Sequence, residues 1–316
     1  MQKYILKRIA LLIPVLLGVS FIVFTIMSLT PGDPASVILG PMATQEDIHR
    51  LNEELGYYRP FFVRYLSYIA GVVRGDFGKS YRSGNPVFGE IFSRFPTTLK
   101  LAIGAILLAM LLGIPIGIIS AVRQYSWFDM TGTMVAMFMA AMPQFWLGLM
   151  GILIFSVKLG WLPSIGLYSA KHYILPIITL SLPTAATIIR LTRSAMLEII
   201  RQDYIRTARA KGAPERTIVM KHAFRNALLP IVTVIGINFG FLLGGAVLIE
   251  AVFGIPGVGS LTINSIRMKD IPQTTASVLF LAFTYIVMML SVDVAYAYID
   301  PRIKAKYLTR RVRANG

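Results

Sequence analysis

The chain has 316 residues, 55% of them hydrophobic, with a mean hydropathy of +0.66 and only 15% charged. Such a balance excludes an ordinary water-soluble protein and fits one whose solvent is mostly lipid. No cysteine is present, which excludes disulfides and Cys-based metal or redox sites.

The first 29 residues open with a basic stretch, like a signal peptide, but the apolar run that follows is too long for one. No small-x-small cleavage pattern follows it, so residues 1–29 read as a retained N-terminal transmembrane helix. Residues 30–97 form a hydrophilic segment with seven basic and seven acidic residues, read as a small helical cap. In it, "ATQEDIHRLNEELG" predicts a helix opened by a Thr44–Asp47 capping box, with Ile48, Leu51 and Leu55 on one face and Gly56 at its end. "PFFVRYLSYIAGVVRGDFG" predicts a second amphipathic helix opening at Pro60, and "PVFGEIFSRFP" a third. Gly78-Lys79-Ser80 imitates the end of a phosphate-binding loop. The position five residues before Gly78 is Val73 rather than glycine, so that reading fails, and no other Walker-type motif exists in the chain.

Five more apolar runs follow: Leu101–Val122, Met130–Val157, His172–Ile189, Asn226–Ile249 and Ile271–Val292. Each is near or above the ~20 residues that cross ~30 Å of hydrocarbon, the fourth being the shortest. The third carries Met134 and Met142 before Pro143-Gln144, a candidate pore path for varied cargo or ordinary helix packing, with a kink expected at Pro143. In the fifth, Gly236, Gly240 and Gly244 lie four apart on one face, for packing within the chain or against another subunit. The Pro256-Gly257-Val258-Gly259 stretch after it predicts a tight, re-entrant turn and a candidate gate. Asp293 sits near the end of the last span, close enough to Asp300 and Arg302 for structural pairing. The three histidines, His49, His172 and His222, fall in separate segments and make no metal site.

With both termini inside, segments 1–8, 122–128, 190–225 and 299–316 hold 19 Lys/Arg against 4 Asp/Glu, whereas 30–97, 158–172 and 250–270 hold 11 against 9. That asymmetry is the positive-inside bias. It assigns the net charge of +16 to membrane orientation rather than to nucleic acid. The expected architecture is an all-α integral membrane protein. Its parts are the first helix, the 30–97 cap on the outside, a five-helix core over 98–299 and a basic cytosolic tail over 300–316.

Nine Lys/Arg fall in residues 190–225, too many to insert into a bilayer. "RSAMLEIIRQDYIRTARAKG" predicts a continued helix with Leu197, Ile200 or Arg201, Tyr204 and Ala208 on one face, broken at Gly212. "APERTIVMKHAF" predicts a new short helix, with Pro214 and Glu215 in its first turn. Val219 with Ala223, and Met220 with Phe224, give it apolar faces. The loop 190–227 is then either a lever for a cytosolic partner or a basic helix bound to anionic lipid.

The loop resembles the signature loop of permease subunits from binding-protein-dependent ABC importers. Arg206 and Thr207 stand where that pattern has Glu and the first Ala. Ala208, Gly212 and Leu229-Pro230 match it. These departures, with "MSLTPGDPA", "RGDFGKSYRSGNPVFGEI", "RFPTTLKLA", "LGWLPSIG", "EAVFGIPGVGSL" and "YAYIDPRI", resemble the first permease subunit of the peptide branch (oligopeptide, dipeptide and nickel importers) over almost the whole chain. The resemblance implies the type I importer permease fold, with six transmembrane helices, in a bacterial or archaeal inner membrane. It implies half of a pore for peptides, with nickel, glutathione or oligosaccharide as alternative cargo. The implied partners are a homologous second permease, two ATPases that bind the ATP and Mg, and an extracytoplasmic binding protein. The chain itself would hold no cofactor and catalyse no chemistry. Ala208, Gly212, Ala213, Pro214, Glu215 and Arg216 would form the ATPase coupling site. An ion-coupled secondary transporter would need intramembrane ionisable groups, and a membrane enzyme a cluster of His or carboxylates; the spans carry neither pattern.

Overall fold

A computed structural model describes residues 2–299, and side-chain surroundings for 10–292 apart from residue 245. The Asp293 side chain, Asp300, Arg302 and the tail 300–316 lie outside the described residues. The described chain is helical, with one isolated antiparallel bridge between Lys79 and Pro86.

The long first helix, α1, runs Gln2–Leu29. The cap follows with α2 (Pro34–Leu39), α3 (Gln45–Glu54) and α4 (Phe61–Val73). Helix α2 was not anticipated; Asp33 caps it by accepting from the Ser36 amide at 2.8 Å. Thr44 caps α3 as expected, its hydroxyl accepting from the Asp47 amide at 3.2 Å, but the Asp47 carboxylate accepts from that hydroxyl at 2.6 Å rather than from the Thr44 backbone N–H, so the reciprocal half of the box is absent. The expected third cap helix is a correction. Residues 87–96 are instead the first turns of a 36-residue helix, α5 (Val87–Val122), which continues through Pro96 and Pro115. A proline inside a helix removes one backbone hydrogen bond, and neighbouring helices and local adjustment make that tolerable in a transmembrane segment.

Next come α6 (Trp127–Ala141) and α7 (Gln144–Gly151), the latter widening into a π-helical stretch, Ile152–Lys158. The third apolar run is therefore two helices rather than one helix with a kink. Its two halves bend by 98° at Met142-Pro143. Pro143 begins a new helix rather than bending an old one, because it has no N–H to continue the ladder and restricts Met142 to extended backbone (ψ 131°).

Helix α8 (Ile174–Ile200) is the fourth span and the centre of the bundle. Its most apolar window is 56% buried, against 17% for α1 and 22% for the last helix. It reaches eleven residues beyond the predicted Ile189, so Arg190 and Arg193 sit on it. It packs most closely on α5, where glycines replace side chains at the contact. A Cβ at Gly104 would lie 2.5 Å from Ile177, at Gly113 2.7 Å from Ile188, and at Gly117 2.6 Å from Thr192.

The basic loop then holds α9 (Asp203–Ala210) and α10 (Glu215–Thr217), leading through a π stretch, Ile218–Phe224, into α11 (Arg225–Val252). Two expectations are corrected here. The helix from 190 stops at Ile200, and a turn at Arg201-Gln202 starts α9 afresh. The short helix after Pro214 does not stand alone but runs on into the fifth span. The chain ends its described part with α12 (Val258–Arg267) and α13 (Ile271–Ile299).

The tight turn expected between α11 and α12 forms, and a buried carboxylate organises it. Glu250 is fully buried, accepting from the Thr98 hydroxyl at 2.6 Å and the Ser260 amide at 2.9 Å. Thr98 accepts in turn from the Val258 amide at 2.9 Å. Gly257 and Gly259 pack against Glu250 so closely that neither has room for a Cβ. Thr98→Val would leave the Val258 amide unpaired and remove one donor to Glu250. The expected cost is about 1–3 kcal/mol, read as a lower apparent Tm of the purified subunit, with Thr98→Ser restoring most of it.

Candidate coupling turn and translocation face

The turn after α9 is fixed from below. Ile205 is fully buried and joins Ala195, Met196, Ile218, Val219 and Ala223 in one apolar cluster. The fresh start at Gln202 turns Ile205 inward and leaves Tyr204 45% exposed, the reverse of the predicted face. Of the faces predicted after Pro214, Val219 and Ala223 are buried, whereas Met220 is exposed and Phe224 only half-buried.

Helix α9 ends in two backbone bonds. The Gly212 amide donates to the Arg209 carbonyl at 2.9 Å, and the Ala213 amide to the Ala208 carbonyl at 3.2 Å. This is a Schellman ending, which needs a left-handed residue, and Gly212 supplies it at φ +78°. Ala208 and Ala213 form the half-buried underside, packed on the cluster. Gly212, Pro214, Glu215 and Arg216 are exposed. Arg209 clasps Glu215 across the turn with two bonds, 2.7 and 3.1 Å. The six predicted coupling residues are thus one compact feature, to which the structure adds Ile205 and Arg209. A signal for Ile205 was present, since it is the only large aliphatic residue in "DYIRTARA".

The feature is tied to the bundle on several sides. Asn226, at the start of α11, donates to the Tyr204 hydroxyl at 3.1 Å. Arg201 donates to Gln124 at 3.4 Å. On α8, Arg193 meets the nearly buried Asp129 of α6 through two bonds, 2.5 and 2.8 Å. The turn thus contacts the ends of both α8 and α11.

Those two helices border a cavity of about 760 Å³ with α7, α12 and α13. Gln144, Thr184, Thr187, Asn238 and Tyr285 give it hydrogen-bonding groups in a mostly apolar wall, and no charged residue among the described ones lines it. Of the predicted pore residues only Gln144 lies there. Met134, Met142 and Pro143 are not among its walls, and Pro256 and Gly257 belong to the α11–α12 turn. Gly236 and Gly240 pack inside the chain, on Val292 and Tyr285, whereas Gly244 has no neighbour within 4 Å of a Cβ position and opens on the cavity. Among the described residues, no three His, Asp or Glu side chains converge as metal ligands would.

A helical bundle with long apolar helices, a mostly apolar cleft and a compact basic turn at one end fits a membrane permease subunit. The chain belongs to the family described as the binding-protein-dependent transport system inner membrane component, matched over residues 113–305. Residues 1–102 match the N-terminal membrane component of such systems. It is 45% identical over 306 residues to a glutathione transport system permease protein of Salmonella choleraesuis, and 44% identical to that of Escherichia coli K12. Both alignments cover 97% of this chain and all of the relative. In fold it is similar to a chain of the inward-facing MetNI methionine ABC transporter (TM-score 0.58, 21% identity, covering 68% of this chain and 99% of that one). It is likewise similar to a chain of an amino acid ABC transporter (TM-score 0.51, 16% identity, 68% and 94%). The protein is thus a permease subunit of an ABC importer of the peptide branch, with the type I permease fold, embedded in a bacterial inner membrane.

Ile205→Ala should hollow the cluster under α9, at a cost of about 2–5 kcal/mol for a buried aliphatic residue. The expected outcome is faster tryptic cleavage after Arg206 and Arg209, with the membrane helices still protected.

Proposed function

We propose that this chain forms half of a pore that imports peptides or small peptide-like solutes, driven by ATPases docked on the turn at 208–216. The observation that carries the coupling role is the Schellman-capped turn, exposed above and locked below to two helices that wall the cavity. The charge asymmetry supports an orientation with this turn and both termini in the cytosol and the cap outside. In that orientation a binding protein delivers cargo at the cap, a homologous second permease completes the pore, and ATP and Mg belong to the paired ATPases. Closure of those ATPases pushes α9 and reorients α8 and α11 in alternating access.

The uncharged, hydrogen-bonding wall supports cargo of balanced charge, such as a short peptide, held weakly enough to leave. Relatives named for glutathione transport support a tripeptide-sized solute. Choice among peptides, glutathione, nickel complexes and oligosaccharides then rests mainly with the binding protein.

The site Gly212 offers is open: nothing lies within 4 Å of the Cβ it lacks. Gly212→Trp therefore costs this subunit only the left-handed strain, on the order of 1 kcal/mol. Gly212→Ala carries the same strain without the bulk. Gly212→Trp is expected to insert normally yet lose copurifying ATPase and substrate-stimulated hydrolysis, whereas Gly212→Ala retains most of both. Normal copurification and transport by the tryptophan variant, with failure on neutralising Arg216, Lys221 and Arg225, would instead establish a lipid-bound helix.

A further inference from the structure

Helix α4 belongs by sequence to the cap, yet it packs on the transmembrane part of α1. Phe61 and Tyr65 meet Phe21 and Phe24 edge-on, with ring centres 5.3 to 5.9 Å apart. The Tyr65 hydroxyl lies 3.0 Å from the Ser20 hydroxyl and donates to the Leu17 carbonyl at 3.2 Å.

Depth follows from helix geometry. The basic end of α1 closes with Lys7-Arg8, and the helix finishes at Leu29. From Ile9 to Leu29 the rise of ~1.5 Å per residue gives about 30 Å, the whole hydrocarbon thickness, so α1 has no length to spare above the membrane. Measured down from Leu29, Phe24 is then about 8 Å deep, Phe21 about 12 Å and Leu17 about 18 Å. A helix whose rings pack on Phe24 and Phe21 stands beside the cap-side half of the hydrocarbon, not above it, with the Tyr65 hydroxyl reaching toward its middle.

The face of α4 turned away from α1 suits that place. Phe62, Val63, Leu66 and Val73 are 66%, 51%, 63% and 81% exposed. Beside them, Ile22 and Ile26 of α1 are exposed on the spanning helix itself. The one charge within α4, Arg64, turns away from that face onto the rings of Phe24 and Tyr57, 5.7 and 5.0 Å from their centres. No acidic residue occurs between Leu55 and Gly75, and an exposed arginine stands at each end, Arg59 and Arg74. Long arginine side chains reach headgroup phosphates from just within the acyl region.

We propose that α4 is embedded in the cap-side leaflet, with Phe62, Leu66 and Val73 against acyl chains and Arg59 and Arg74 on lipid phosphates. The cap is thereby pinned to the bilayer at a set depth. The proposal is independent of which cargo the transporter carries.

The chain has no cysteine, so single labels are simple to place. Leu66→Cys, Val73→Cys and, as the water-exposed reference on α3, Glu53→Cys would carry nitroxides in the assembled transporter, held in nanodiscs of phosphatidylethanolamine and phosphatidylglycerol. Oxygen collects in lipid, and a nickel chelate stays in water. The expected ratio of oxygen to nickel collisions at Leu66 is several-fold above that at Glu53, with Val73 also raised. A ratio at Leu66 equal to that at Glu53 would place α4 in water and overturn the proposal. Low collision with both agents at Leu66 and Val73 would equally overturn it, because a protein partner would then cover the face.

Discussion

The closeness of α5 and α8 is the constraint on which the rest depends. In lipid no hydrophobic force drives helices together, so their approach rests on dispersion contacts that only small residues permit. Gly104, Gly113 and Gly117 bring the α5 backbone against Ile177, Ile188 and Thr192. With α8 held there, α6 is joined to it by Asp129–Arg193, α11 lies along another side, and the cavity opens where that packing stops. After the break at Arg201-Gln202 the same helix is followed by the basic turn, so the most buried span lies next in sequence to the proposed coupling surface.

The turn is stiff for reasons that are mostly local. Its backbone bonds close on themselves, its underside is apolar and covered, and Arg209–Glu215 bridges its open side. A flexible loop in this place would absorb a push, whereas a capped helix resting on a packed cluster passes it on. The residues a partner would touch are accordingly small or fixed: Gly212 and Pro214 at the tip, with charges at the flanks.

Five of the apolar runs were legible because a bilayer demands long uninterrupted helices, and the Thr44 cap and the Gly212 break were legible because caps are local chemistry. The failures share a cause in tertiary context. The fourth run looked weakest as a span because it was the shortest, yet α8 extends eleven residues further and has the most buried apolar window of the spans. Pro96 resembled a helix boundary and proved interior. Pro143 resembled a kink within one helix and proved the start of another. Tyr204 was placed on one face with Leu197 and Ala208 because a turn at Arg201-Gln202 leaves no mark in hydrophobic period, and one missed break rotates every later residue. The Gly113–Gly117 pair was as visible as the glycines of the fifth span. Which of two such faces matters more is decided by the neighbour, and the neighbour is not written nearby. The cavity was legible only in Gln144, since its other walls come from four helices far apart in sequence.

The carboxylate of Glu250 carries a consequence for the order in which the molecule is made. Its partner Thr98 precedes it by 152 residues. At about 5–20 residues per second of synthesis, Thr98 waits roughly 8 to 30 s before Glu250 exists. During that interval α5 and α8 already have each other, whereas the threonine hydroxyl has only water or its own backbone to bond. The turn between α11 and α12 therefore closes well after the α5–α8 contact becomes available, and Ser80 waits longer still for Asp270, 190 residues further on.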